Sequence, residues 1–270
     1  MAIITKITTQ QKNQDRLNVF IDYGKGEEFA FSIDSDILIK FQLKKGMELD
    51  DFSTMEIQYQ DDIRKAHNLA INYLARRMRS EKEISDYLNQ KEVDEPVINE
   101  VLHKLTAQRY INDEEYALAY VRTQVNTTDK GPDLIKLELK EKGISEVIRL
   151  QALEEFPLEL QIEKASKVTE KFFQKGSKES LKIQKQKLEQ LLKRKGFSFE
   201  VIHIALNETE VDKEDDEEME AIRYQGEKAQ RKFSQLTGFE YQQKMKQTLY
   251  RKGFSMELIE RFLAEKEENS

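Results

Sequence analysis

The chain has 270 residues, 35% charged and 38% apolar, and acids outnumber bases 51 to 44 for a net charge of −7. It contains no Cys and no Trp, and only 10 Gly, 3 Pro and 3 His. Without thiols there is no cysteine nucleophile, disulfide, thiolate zinc site or iron–sulfur cluster. With Gly and Pro far below their usual combined share of roughly 12%, a β-sandwich or α/β barrel is a poor fit.

Residues 1–34 read as β. Leu17, Val19, Ile21 and Tyr23 alternate with Arg16, Asn18, Phe20 and Asp22, and Phe29, Phe31 and Ile33 alternate with Glu28, Ala30 and Ser32. That is a period of two, twice over, with Gly24-Lys25-Gly26 as the turn of a hairpin. Ile3 to Thr8 supplies a third strand, and Ser35 or Asp36 is placed to cap a short helix ending near Gly46.

Beyond about residue 51 the signal is helical, and it repeats. Four segments align on a turn position: Ile84, Leu88, Glu92, Val93, Ile98, Leu102; Ile135, Leu139, Gly143, Ile144, Ile148; Leu188, Leu192, Gly196, Phe197, Ile202, Leu206; and Met245, Leu249, Gly253, Phe254, Ile259, Leu263. Each has apolar residues eight and four before the turn and one after it, and the turns fall 51, 53 and 57 residues apart. Two helices joined by a tight turn account for every position. Gly at three of the four turns suits a helix C′ residue at positive φ, and the Lys before each suits the negative end of the helix. Ser145, Ser198 and Ser255 follow as N-caps. Upstream, Ser80-Glu81-Lys82-Glu83 and Asn112-Asp113-Glu114-Glu115 read as capping boxes, which makes each unit about three helices. A period near 50 residues indicates a tandem helical array.

The expected fold is therefore mainly α: tandem three-helix repeats in an elongated array behind a small β-containing segment. The expected divisions are 1–60 for the β segment, then repeats at 61–112, 113–157, 158–207 and 208–270. The third repeat is the basic one, with a net charge of +5, and the fourth opens on an acidic run from Glu208 to Glu220 that reads as a linker or frayed helix start.

Motifs for chemistry are missing. His67, His103 and His203 belong to no metal-ligand pattern. Gly24-Lys25-Gly26 joins strand to strand, unlike a dinucleotide-binding turn, and there is no phosphate-binding loop of the G-x4-G-K-[ST] type. No acid pair is marked as general acid and base. The expectation is a non-enzyme without cofactor or metal. No apolar run approaches the ~20 residues of a membrane span, and the opening Met1 to Lys6 lacks a signal peptide's apolar core, so a cytoplasmic monomer without membrane association is expected.

Basic clusters are what remain. Arg76, Arg77 and Arg79 close the first helix of repeat one. Lys193 and Arg194 close the central helix of repeat three, and Arg251 and Lys252 hold the matching place in repeat four. Cations at helix C-termini are favoured by the macrodipole alone. Lys182 and Lys187 lie too far from the end of their helix for that explanation. At 100° per residue they stand opposite Leu181, Leu188, Leu191 and Leu192. These nine residues are the candidate partner-binding set. A basic face suits nucleic-acid phosphates or an acidic protein.

Three stretches resemble the RecX regulatory-protein family. Leu69 to Ile84 (LAINYLARRMRSEKEI) is similar to its opening segment, Tyr110-Ile111-Asn112-Asp113-Glu114-Glu115-Tyr116-Ala117 to its Y-I-[ND]-D-x2-[FY]-A signature, and Gly131-x3-Ile135-x2-Glu138-Leu139-x2-Lys142-Gly143-Ile144 to its G-x3-I-x2-E-L-x2-K-G-I segment. Together they cover about residues 66–150, and the extra repeats and β segment resemble the long forms of Gram-positive bacteria. Ile84 stands for the usual Leu, and Glu92 for the turn Gly of the other copies, so the first turn has to close without glycine. The resemblance implies a modulator of the RecA recombinase in homologous recombination, DNA repair and the SOS response. Such a protein binds the RecA–DNA filament along its groove, inhibits strand exchange and ATP hydrolysis, and meets DNA weakly or only on the filament. The alternatives are a nucleic-acid-binding helical module acting without RecA, marked by strong salt dependence on bare DNA, and an unrecognised metal-dependent enzyme.

Overall fold

A computed structural model describes residues 2–208 and 215–268. The chain divides into two compact units, Met1–Tyr116 with Lys142–Ile144, and Ala117–Glu141 with Ser145–Ser270. The first unit opens with β1 (Ala2–Thr9), β2 (Arg16–Asp22) and β3 (Glu27–Asp34), followed by α1 (Ser35–Lys40) and the two-residue β4 (Glu48–Leu49). The sheet is antiparallel in the order β3-β2-β1-β4. At the β2–β3 turn the Asp22 carboxylate accepts hydrogen bonds from the Gly24 and Gly26 N–H groups at 2.6 and 2.9 Å. Those bonds hold its carboxyl below the ordinary 3.8.

Ile4, Val19, Ile21, Phe31 and Ile33 fill the core beneath the sheet, as the alternation predicts. Phe29 departs from it. Val19 pairs with Phe31 but Phe20 with Phe29, so a β-bulge interrupts the register. Phe29 is turned to the open face, 56% exposed and edge-on to Phe20 at 5.9 Å. A bulge re-aims side chains in this way, and period-two counting does not see it. The cap of α1 is Asp34, one or two residues before the expected Ser35 or Asp36; its carboxylate accepts from the Asp36 N–H. The helix ends at Lys40, well short of Gly46.

The helix α2 (Asp51–Leu74) is capped by Asp50 and is long enough to serve two cores. Its first half packs Ile57 under the sheet, and its second half packs Ile63, Ala66 and Ala70 against α3 (Glu81–Gln90) and α4 (Glu95–Ala107). Buried Asp61 ties α2 to the sheet. It takes both Nη atoms of Arg16 at 2.8 and 3.0 Å, the Lys65 ammonium at 3.0 Å and the Asp34 N–H at 2.7 Å. A buried carboxylate is tolerable only with such partners.

Three further helix triplets follow: α5 (Asp113–Thr127), α6 (Pro132–Glu141) and α7 (Glu146–Leu153); α8 (Leu158–Phe173), α9 (Leu181–Lys195) and α10 (Phe199–Glu208); α11 (Asp215–Lys232), α12 (Gly238–Arg251) and α13 (Met256–Glu268). The architecture is tandem three-helix domains behind a small four-stranded antiparallel sheet. The paired anchors before each turn, Ile84/Leu88, Ile135/Leu139, Leu188/Leu192 and Met245/Leu249, are all fully buried. Part of the acidic run, 209–214, lies outside the described residues. The remainder from Asp215 to Glu220 opens α11, so there the acids belong to a helix and not to a linker.

Candidate interaction surface

The turn glycines do more than end helices. Gly143, Gly196 and Gly253 have φ of +83, +88 and +89°, and each lies hard against the start of another central helix. A Cβ on Gly143 would stand 2.6 Å from Lys82 Cβ, one on Gly196 2.4 Å from the Leu134 nitrogen, and one on Gly253 2.5 Å from Ser180 Oγ. The lysine before each glycine presents its carbonyl to the same partner. Ser80 Oγ donates to Lys142 O at 2.8 Å, the Gly131 N–H to Lys195 O at 2.7 Å, and Ser180 Oγ to Lys252 O at 2.5 Å. Gly196 O also accepts from the Asp133 N–H at 3.0 Å. So the central helix of one repeat begins on the turn of the next, through one recurring joint. The first turn stands apart: Glu92 adopts φ +60° with its side chain exposed.

Of the predicted basic residues, Arg76, Arg77 and Arg79 do not close a helix. α2 ends at Leu74 with its C-cap at Ala75, and the three arginines lie in the loop before α3. Arg79 is held in place. Its guanidinium lies 4.0 Å over the Tyr73 ring, which stacks on Tyr87 at 4.1 Å. Glu83 gathers the surrounding cations, with Arg77 at 3.2 Å, Lys142 at 3.5 Å and Arg79 at 3.8 Å, and completes the α3 capping box on the Ser80 N–H. Burial pushes the Glu83 carboxyl up. The Ser80 N–H, Lys142, the Tyr116 hydroxyl and Arg77 outweigh that and leave it below the ordinary 4.5. Arg79 is thus largely committed to structure, whereas Arg76 and Arg77 are exposed.

Lys193 and Arg194 occupy the last turn of α9 and Arg251 that of α12, as expected, and all three are exposed. Lys182 and Lys187 are also exposed, opposite the buried Leu188 and Leu192. Lys187 is not a free cation, because its ammonium sits 2.6 Å from both Glu179 oxygens. Lys182 and Lys252 meet at one joint: Lys182 Cβ flanks Gly253, and the Lys252 ammonium donates to Gln225 Oε1 at 2.8 Å. Arg76, Lys182, Lys193, Arg194 and Arg251 form no ion pair among the described residues.

Sequence reasoning missed the apolar exposures. Phe239 is 80% exposed, Phe199 73%, Tyr250 61% and Met256 46%. Phe239, Tyr250 and Met256 line an open groove of about 700 Å³ along α12 with Gln243, Gln247 and Lys244. The spacing 239, 243, 247, 250 is a helical stripe on the face away from Met245 and Leu249, a signal present in the sequence. Among the described residues no group of three or more His, Asp or Glu is arranged to hold a metal ion. Nor is any described helix long and apolar enough to cross a membrane.

Comparison with known proteins gives these features a family. The RecX N-terminal domain matches residues 2–50, the first three-helix domain 66–105, the second 112–153, and the third twice, at 159–206 and 215–263. The doubled third domain agrees with the longer central helices α9 and α12, of 15 and 14 residues against 10 in α3 and α6. The regulatory protein RecX of Bacillus subtilis (strain 168) is 47% identical over 267 residues, 99% of this chain and 100% of its own length. That of Bacillus cytotoxicus is 46% identical over 263 residues, 97% of each chain. A crystal structure of regulatory protein RecX, 35% identical, superposes with a TM-score of 0.67 over 77% of this chain and all of its own. The structure of RecX from Lactobacillus salivarius, 40% identical, does so at 0.54 over 57% of this chain and 99% of its own. With the RecX domains matched in order and relatives aligned nearly end to end, the chain belongs to the RecX family of regulatory proteins.

Proposed function

We propose that this chain regulates a RecA-type recombinase by binding the recombinase–DNA filament and, for the most part, inhibiting its strand exchange and ATP hydrolysis. The observation that carries the reading is the ordered match of RecX domains over almost the whole chain. The physical design supports it. Tandem modules meeting a repeating target act at a high effective concentration, so that no single module has to bind tightly. The working modules are the segment 1–60 and the repeats 61–112, 113–157, 158–207 and 208–270. The protein acts as a cytoplasmic monomer, without catalysis of its own and without a cofactor. DNA is met weakly or on the filament, since a net charge of −7 opposes tight binding to bare phosphates.

Within the basic set, Lys182, Lys193 and Arg194 are the most available contacts, being exposed and outside any ion pair among the described residues. Exposed charges change stability by only about ±0.5 kcal/mol. Reversing all three to Glu is therefore expected to leave the fold intact and weaken inhibition of RecA-driven strand exchange at low salt, with the difference shrinking as salt rises. Full inhibition by the folded triple variant refutes these contacts. A wild-type chain that leaves strand exchange untouched refutes the regulatory reading. Salt-sensitive binding to bare DNA without any effect on the recombinase favours the nucleic-acid module.

A further inference from the structure

At the start of α12 one half of the recurring joint is left open among the described residues. In two of the joints the helix start supplies a Ser cap and, two residues on, a Lys whose Cβ packs on the neighbouring turn glycine: Ser80 with Lys82, and Ser180 with Lys182. In α12 the corresponding residues are Thr237 and Phe239. Thr237 is the N-cap and makes no side-chain capping bond. Phe239 is 80% exposed, the barest large apolar side chain among the described residues. From Phe239 the groove runs along α12 to Tyr250 and Met256, and among the described residues no carboxylate lines it. The same face of α9, at Lys182, Lys185 and Gln186, borders Gly253 and Ser255 of the following turn. The α12 groove thus continues an interface the chain already uses internally, with an aromatic where two of the internal joints have lysine.

From this continuity we propose that the α12 groove is a docking site for a helix C-terminal turn of the regulated recombinase, one closed by glycine at C′, with Phe239 as the apolar anchor. Three internal occupants define that chemistry: Lys142-Gly143-Ile144, Lys195-Gly196-Phe197 and Lys252-Gly253-Phe254. Each offers a carbonyl, then a residue without Cβ, then a buried apolar side chain. A second copy of this chain is a poor occupant. Three of its turns of this type are already docked, and the fourth carries Glu92 where the joint needs glycine. At the docked turns a Cβ would meet the helix start at 2.4 to 2.6 Å, far inside contact distance. Hence the matching turn is supplied by the partner protein.

The inference rests on the proposed regulation of the recombinase, and the test separates the two. The chain contains no Cys, so Phe239→Cys can carry a single photo-crosslinker in the full-length protein. Binding of labelled wild type, Phe239→Asp and Phe199→Asp to recombinase–single-stranded-DNA filaments is measured by anisotropy. Sedimentation and melting curves of the free chains check their assembly and folding. Phe199, 73% exposed on α10, is the control for adding an acid at a bare phenylalanine. The expected result is at least a tenfold loss of affinity for Phe239→Asp, less than twofold for Phe199→Asp, unchanged melting for both, and a crosslink from position 239 to a glycine-ended helix of the recombinase. Wild-type affinity in Phe239→Asp overturns the docking site and leaves the regulatory reading standing. So does a crosslink to a second copy of this chain, together with a wild-type dimer lost in Phe239→Asp. If the wild-type chain does not bind filaments, the regulatory reading fails and the docking site fails with it.

Discussion

Gly196→Ala tests whether the turn glycines hold repeats together or only end helices. Gly196 has φ +88°, and its Cβ would stand 2.4 Å from the Leu134 nitrogen and 2.8 Å from Leu134 Cβ. Restoring ordinary contact requires a shift of roughly 1 Å between the turn and the start of α6, because packed side chains leave no slack. Such a shift loosens two hydrogen bonds, from the Gly131 N–H to Lys195 O at 2.7 Å and from the Asp133 N–H to Gly196 O at 3.0 Å. Each contributes about 0.5–1.5 kcal/mol, and forced overpacking adds about 1–3 kcal/mol. The left-handed backbone costs alanine about 1–2 kcal/mol, partly offset by about 0.4–1 kcal/mol of lost unfolded-state freedom. The sum is about 2–8 kcal/mol, of which the joint itself accounts for about 2–6 kcal/mol. Gly176→Ala is the internal control, with φ +64° and nothing within 4 Å of its Cβ; only the backbone cost of about 1 kcal/mol applies there. Hydrogen exchange in the full chain reads the difference. Amides of residues 131–141 and 199–208 are expected to lose at least about thirtyfold more protection in Gly196→Ala than in Gly176→Ala, at about 1.4 kcal/mol per tenfold. Equal losses in the two variants would refute the joint.

Glu92→Gly should stabilise the first repeat by about 0.5–1 kcal/mol, since it relieves a non-glycine left-handed residue at an exposed turn; a lower urea midpoint for α3 and α4 protection would contradict that. Leu249 is fully buried, so Leu249→Ala should cost about 2–5 kcal/mol, with faster exchange across residues 215–268 and retained protection over 66–107. Glu83 ionises below its ordinary 4.5 in the folded chain. The stability it supplies is therefore full above pH 4.5 and is lost as pH falls through the lower folded value. Compared in urea melts, wild type should exceed Glu83→Ala by about 1–2 kcal/mol at pH 7, and the gap should close on acidification; a gap that grew at low pH would show the sign to be wrong.

The helices and their cores were legible because their signal is local. A residue at i and one at i+4 share a face whatever the rest of the chain does, so the buried pairs from Ile84/Leu88 to Met245/Leu249 could be read by counting. Counting failed where backbone geometry departs from its period: the bulge that turns Phe29 outward, and β4, too short at Glu48–Leu49 to show any period. The candidate surface was less legible, because a cation's availability depends on residues that spacing cannot supply, such as Glu179 beside Lys187 or Tyr73 beneath Arg79. Even so, one signal in the sequence carried more than helix termination. Three turns have Gly and the first has Glu92, which reads at first as a weakness in the repeat. Yet Glu92 reaches φ +60° with its own side chain, so the turn's conformation alone does not demand glycine. What separates the three glycines from Glu92 is a neighbour: Lys82 Cβ, the Leu134 nitrogen or Ser180 Oγ lies within 2.4 to 2.6 Å of where a Cβ would be. Glycine at this position marks a turn that another helix sits upon, and glutamate marks one whose side chain is left exposed.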